Sequence, residues 1–233
     1  MIYGGRANWD GVTLYGRRFA VRARRRADGE LVYQVMNGRD YLRRLRRLIG
    51  GLIVGVLLVL LLLPQADLLP TRAESYWLAL GEKLGIWLAL AAAQFIACQF
   101  TPLGRYHAAE HMVINAVARG QSSLEQVEKA ERFCWSCGTA YIGLTMYLLL
   151  PLAFLPLSAD EFLVAFAAVL LLVLLLDRRL QLRRRPLARR IGQYWQLYLT
   201  TSPPRPEHVR VAHACAEKLL SLERGSSPRC RVE

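Results

Sequence analysis

The chain has 233 residues, 54% of them hydrophobic and 21% charged, with a net charge of +13. Its apolar residues gather in charge-free runs of 19 residues (48–66), 21 (84–104), 27 (133–159) and 15 (162–176), and about 20 apolar residues in helix cross a bilayer core of about 30 Å. This excludes a secreted disulfide scaffold, a disordered chain and a freely soluble nucleic-acid binder, and points to an integral membrane protein.

Residues 1–47 carry 12 basic and four acidic groups. The first apolar run is flanked by arginines instead of a small-residue cleavage site, so this segment reads as mature protein and not as a signal peptide. Residues 12–15, 18–24 and 31–35 cluster or alternate β-formers, and Ala27-Asp28-Gly29-Glu30 supplies a hairpin turn. A strand period of two turns Arg18, Arg22 and Arg24 outward and Phe19, Val21 and Ala23 inward.

Lysine and arginine mark the cytoplasmic side of a membrane. Segments 1–47, 101–137 and 177–233 together carry +16, whereas 65–83 and 158–161 carry −3. The expectation is therefore four spans with both termini cytoplasmic, the fourth run being the weakest because 15 helical residues reach only about 22 Å. The fold class is mainly α and polytopic: a cytoplasmic β-rich segment (1–47), a four-span membrane domain (48–176) holding the cytoplasmic loop 101–137, and cytoplasmic C-terminal helices (177–233). Arg43, Arg44, Arg46 and Arg47 before the first span, and Arg178, Arg179, Arg183, Arg184 and Arg185 after the last, are anchors for a bilayer with anionic headgroups. No nucleic-acid partner is expected.

After the last run, residues 191–199 bring Tyr194, Trp195 and Tyr198, aromatics suited to a membrane interface. The stretch Thr200-Thr201-Ser202-Pro203-Pro204-Arg205-Pro206 breaks that helix. Pro206-Glu207 then opens an amphipathic helix with Val209, Ala212, Ala216, Leu219 and Leu220 on one face. His208, His213 and Cys215 on it read as packing residues. Cys98 and Cys230 have no partner at ligand spacing.

The chemistry concentrates in the loop between the second and third runs. His107 and His111 stand one helical turn apart, so both imidazoles reach one metal ion, with Glu110 beside them. Gly120 ends that helix, and Ser122-Ser123-Leu124-Glu125 offers a capping box for a second short one. Cys134 and Cys137 return at chelating spacing, on the reducing side of the membrane. Two imidazoles and two thiolates make a tetrahedral set for zinc or another divalent transition metal. The competing readings are an exposed histidine pair with packed cysteines, and a dithiol redox motif at Cys134-Trp135-Ser136-Cys137. Four protein ligands favour a structural ion. The order His107-x-x-Glu110-His111, however, is that of inverted zinc peptidases, in which the glutamate is the general base. With Cys134 off the metal, a water has a place and Glu110, aided by Asp10, can deprotonate it. Otherwise Glu110 pairs with Arg105 or Arg119, or orients an imidazole. Asn115, one turn after His111, hydrogen-bonds the site or the backbone.

Tyr3-Gly4-Gly5, Asp10-Gly11-Val12, residues 24–30, Tyr106-His107-x-Ala109-Glu110-His111 with Ile114-Asn115, Cys137-Gly138-Thr139, and Thr200-Thr201 followed by Pro204 resemble the YqhQ-like family of bacterial membrane proteins. The resemblance implies a metal-dependent enzyme in the bacterial inner (cell) membrane and brings no substrate. Where the family has His-Pro-Arg-Cys, this chain has Cys134-Trp135-Ser136-Cys137, which keeps a zinc ligand at the first position. Asp10 retains the carboxylate of the family's glutamate, while Arg6 replaces its glutamine. Two functions stand against each other: a metal-dependent hydrolase acting at the membrane, and a non-catalytic scaffold with a structural zinc, for which a protein partner or homo-oligomer follows. Transport is disfavoured, because only Gln94 and Gln99 are strongly polar in the second run.

Overall fold

Each β-forming stretch near the N-terminus has one apolar face to bury, and antiparallel pairing lets short turns join the strands. The structure, a computed structural model, describes residues 2–26, 28–44, 47, 73–135, 137–182 and 185–225. Four strands, β1 (Gly4–Asn8), β2 (Gly11–Tyr15), β3 (Phe19–Arg25) and β4 (Leu31–Asn37), form an antiparallel meander in chain order. Helices among the described residues include α1 (Ala73–Gln99), α2 (Pro102–Ala118), α3 (Leu124–Glu128), α4 (Gly138–Leu152), α5 (Ala159–Leu180), α6 (Pro186–Trp195) and α7 (Pro206–Gly225), with a π-helical turn at Gln196–Thr200. The protein is thus mainly helical with a small N-terminal sheet. The chain divides into two compact units, one made of Met1–Arg47, Phe95–Ser136 and Leu197–Glu233, the other of Leu48–Gln94 and Cys137–Gln196.

In the sheet-bearing unit, β2, β3 and β4 occupy the expected stretches. β1 is an additional strand, pairing Gly4 with Tyr15 through to Asn8 with Gly11; its glycines hid it from a pattern of β-formers. Val12, Leu14, Val21 and Ala23 are fully buried and share a core with Ala109, Val113 and Ala116 of α2 and Ala212, Cys215 and Leu219 of α7. Each fully buried valine or leucine contributes about 1.5–3 kcal/mol to that packing. Arg24 is exposed, whereas Arg22 is half-buried and pairs with Asp10 at 2.8 Å. Thr101 caps α2 by accepting the Leu103 N–H, and Pro102 fills the first turn, where a missing N–H costs nothing. At the corner before it the chain folds so tightly that a side chain on Gly104 would lie 1.9 Å from the Cys98 carbonyl oxygen. Gly120, at φ +75°, ends the α2 turn as its type demands. The capping box falls one residue later than expected, between Ser123 and Gln126, because the helix starts at Leu124.

In the helical unit, α4 packs on α5 and α6. Leu80, Leu149, Ala153 and Phe162 form one buried cluster. Lys83 donates to the Leu155 carbonyl (2.6 Å) and Tyr76 to the Phe154 carbonyl (2.9 Å). Trp195 corrects its expected interfacial place: it is buried against Gly143, where a Cβ would come within 2.5 Å of its own Cβ, and its indole N–H donates to Gln94 Oε1 at 3.0 Å. Tyr194 and Tyr198 are exposed.

Among the described residues, one helix is long and apolar enough to cross a membrane, Tyr76–Gln99 with 24 residues, where four spans were expected. It begins earlier than the second apolar run and takes in Glu82 and Lys83, and its end at Gln99 leaves Gly104 to α2. The run 133–159 yields only the 15-residue α4, because 133–135 pack as an irregular segment in the other unit and Pro151 lies in the last turn of the helix. The fourth run is the middle of the 22-residue α5, whose first turn carries Glu161 and whose last turns carry Asp177. The first run, 48–66, lies outside the described residues, as do Cys230, Arg46, Arg183 and Arg184.

Candidate metal centre

One face of α2 carries His107, His111 and Asn115 at intervals of four, so the three side chains stack along it. Two returning segments cross this face. The stretch after α3 lays three successive carbonyls on it: Asn115 Nδ2 donates to Glu131 O (2.8 Å) and to Phe133 O (2.7 Å), and His111 Nδ1 lies 2.6 Å from Arg132 O. The π-helical turn supplies the Thr200 carbonyl, 2.8 Å from His107 Nδ1. That turn is held in place by Gln99 Nε2, which donates to Tyr198 O and Thr201 O (3.0 and 2.8 Å), and by Ser202 N–H donating to Gly104 O. A carbonyl only accepts, so each imidazole donates from Nδ1, and in the neutral tautomer this leaves Nε2 as the nitrogen able to ligate. Carbonyl-oriented histidines of this kind are the usual outer partners of metal-ligating imidazoles.

The two rings lie 4.4 Å apart, centroid to centroid, at 64°. His107, His111 and Cys137 are residue types compatible with a divalent metal ion, and of the three His111 is fully buried. Cys137 precedes the first residue of α4 and contacts the Thr139 hydroxyl at 3.2 Å. His111 is fully buried, and its Nε2 has no hydrogen-bond partner. An unsatisfied buried nitrogen costs about 1–3 kcal/mol, which a bound cation would recover. Burial and the neighbouring His107 push the His111 pKa well below 6.5, so the ring is neutral and ready to ligate. Burial raises the Cys137 thiol, opposed by its hydrogen bonds with Thr139. The residues present therefore fit a soft or borderline divalent ion with nitrogen and sulfur ligands.

Cys134 is buried but is not among those three residues. Glu110 is only 4% exposed, and its carboxylate lies over β1, where a Cβ on Gly5 would come within 2.7 Å of Oε1. Asp10 sits at the β1–β2 turn in its ion pair with Arg22. His208 stacks edge-on against Tyr106 (4.7 Å), His213 Nε2 is 2.7 Å from Ser122 O, and the Cys215 thiol donates to Val21 O (3.1 Å), so all three serve packing. The carbonyls of Thr200 and Arg132 went unread in the sequence, since a backbone acceptor leaves no residue-type signal.

A sheet-backed helix presenting His107 and His111, with Cys137 as a third candidate ligand, makes this a protein with a candidate divalent-metal centre. The profile of the DUF1385 family, proteins of unknown function, matches residues 48–222, and the chain belongs to this uncharacterised family. No curated protein and no solved structure matches it.

Proposed function

We propose that the protein is a multi-pass bacterial membrane protein whose His107, His111 and Cys137 hold one divalent transition metal, zinc first, and that it is a hydrolase acting at the membrane. The observation that carries the reading is the fully buried His111, whose Nδ1 is committed to a carbonyl and whose Nε2 is left without a partner. Three ligands rather than four favour a catalytic over a closed structural site. The narrower likeness to the YqhQ-like family rests on the motif residues of α2 and supports the same direction. A bound ion would supply Lewis acidity and lower the pKa of water. The chain's own part is to hold both imidazoles in one tautomer through Thr200 and Arg132, and to keep the Glu110 carboxylate buried over β1. Asp10, engaged by Arg22, acts at most on the position of the β1–β2 turn.

The segment charges support four spans with cytoplasmic termini and anionic headgroups as the lipid partner, and the one helix of spanning length is consistent with membrane association. The second reading, a non-catalytic scaffold with a structural zinc and a protein or homo-oligomeric partner, is favoured by Cys134, which is buried near enough in sequence to close a fourth position.

Metal analysis of purified, reduced protein tests both. About one ion per chain is expected, retained in Cys134→Ser and Glu110→Gln and lost in His107→Ala, His111→Ala and Cys137→Ser. Loss of the ion in Cys134→Ser replaces the open site with the closed structural one. A metal-free wild type overturns both readings.

A further inference from the structure

The residues between the sheet and the first apolar run form a separate, basic feature of the sheet-bearing unit. From Arg39 to Arg47 the sequence carries five arginines against one aspartate. Residues 38–44 and 47 are helical. The start of this stretch is tied to the sheet: Gly38 N–H donates to Arg18 O (2.7 Å), and Asn37 Oδ1 accepts from the Arg39 N–H at 2.9 Å. Tyr41 sets its ring against Tyr15, with centroids 5.8 Å apart. A helix turns about 100° per residue, so Arg39 and Arg43, each two residues from Tyr41, take the side opposite to it. Both are exposed, as is Arg47. Arg39, Leu42, Arg43 and Arg47 together line one recess of about 480 Å³.

Three guanidinium groups around one recess repel one another, and Asp40, which meets Arg43 at 3.5 Å, offsets only one of them. Both members of that pair are more than half exposed, so a stronger acceptor displaces it at little cost. We infer that the recess binds a lipid headgroup carrying two phosphates, of the diphosphatidylglycerol kind. Spacing decides the class. Four helical residues rise about 6 Å, so each interval between successive arginines takes one phosphate and the set of three takes two. A planar fork meets a phosphate through two parallel N–H···O bonds. Once one phosphate is seated, the second is presented at a high effective concentration, which a lipid with a single phosphate cannot match. Position decides the source. Arg47 directly precedes the charge-free run 48–66, the first expected span, which sets the arginines at headgroup depth, where basic pockets recognise such lipids. Leu42 gives the recess an apolar wall for the carbons next to the phosphates.

This site rests on the membrane reading of the proposed function and is independent of the metal. The test places the full chain in phosphatidylcholine nanodiscs that hold either diphosphatidylglycerol, or phosphatidylglycerol at twice its mole fraction so that the headgroup charge is equal. Native mass spectrometry of protein released from the discs counts the lipids it retains. Saturable retention of about one diphosphatidylglycerol per chain is expected, in excess of phosphatidylglycerol. Arg43→Gln is expected to weaken retention roughly five-fold, and Arg39→Gln, which leaves the pair of Arg43 with Asp40 intact, by a similar factor. Arg44→Gln makes the same change of charge at an exposed position outside the recess and leaves retention unchanged. Equal retention of the two lipids, or equal weakening by Arg44→Gln, overturns the inference and leaves the membrane reading standing. Displacement of the lipid by free pyrophosphate at the same concentration overturns the lipid source. A chain that enters no nanodisc of either composition overturns both readings.

Discussion

The two units bury polar groups to opposite ends. In the helical unit Lys83 is fully buried, yet its ammonium is spent on the Leu155 carbonyl, and the indoles of Trp87 and Trp195 donate to Met146 O and Gln94 Oε1. The indole bonds join helix to helix, and Lys83 ties α1 to the segment between α4 and α5. In the sheet-bearing unit the buried groups are aimed with equal care, but the atoms at the end of the chain of bonds are left over: His111 Nε2, Arg132 Nη1 and His208 Nδ1. Satisfied polar burial fixes architecture, while unsatisfied burial stores a cost that a ligand can relieve. The helical unit has an atom of this kind as well, the buried Thr145 hydroxyl, so the contrast is one of number, with most of the unrelieved burial among the described residues lying in the sheet-bearing unit.

The largest effect expected from breaking this contrast is at His111. His111→Ala removes a ligand and should reduce metal affinity by more than the roughly 10–100-fold that loss of an outer hydrogen bond costs; calorimetric titration with zinc measures it. Asn115→Leu tests the outer layer. It leaves all three ligands in place but frees the Glu131 and Phe133 carbonyls, and a loss of about ten-fold in affinity is expected. An affinity equal to wild type would show that the returning segment is held by packing alone. In the helical unit, Lys83→Met removes the donor to Leu155 and should cost about 1–3 kcal/mol in stability with no change in metal content. A metal loss in Lys83→Met would erase the division of labour between the units.

How much of this could be read from the chain depended on whether the responsible group was a side chain or a backbone atom. The pair His107 and His111 was legible because a helix repeats every 3.6 residues, and three of the four strands because β-formers alternate. β1 was not, since Gly4 and Gly5 carry no strand signal; their value lies in the close approach they permit to Tyr15 and Glu110. Cys134 and Cys137 look equivalent by spacing, and only the start of α4 at Gly138 separates their surroundings. The length of the third run is over-read for a related reason. Counting uncharged residues treats 133–159 as one helix, whereas Asn115 draws the Phe133 carbonyl onto α2 and the helical part shortens to 15 residues. Trp195 was placed at an interface by residue type, while the space opposite Gly143 decided its burial.

The smallest effect concerns acid. His208 is 4% exposed, with its ring against Tyr106. Burial dominates and lowers its pKa below 6.5; the charges of Arg105 and Arg205 act the same way, and Glu207, 3.9 Å from Nδ1, opposes them. In the unfolded chain the same imidazole takes up a proton first as pH falls, so the stability it protects is complete above about pH 6.5 and declines as pH drops from there through the folded value. One proton gives a slope of at most about 1.4 kcal/mol per pH unit. Denaturant midpoints of metal-free protein, measured from about pH 7.5 to about pH 5.5, should fall more steeply for wild type than for His208→Phe, which keeps a ring on Tyr106 and cannot titrate. His111 shifts in the same direction, so the variant retains part of the slope. Cys215 supplies the control within α7: burial pushes its thiol up to about 12, so it stays protonated throughout and Cys215→Ala should shift the midpoint without changing its pH dependence. If His208→Phe and wild type have parallel profiles, the acid sensitivity belongs to the ligand histidine alone, and the unsatisfied nitrogen on α7 is not part of what distinguishes the two units.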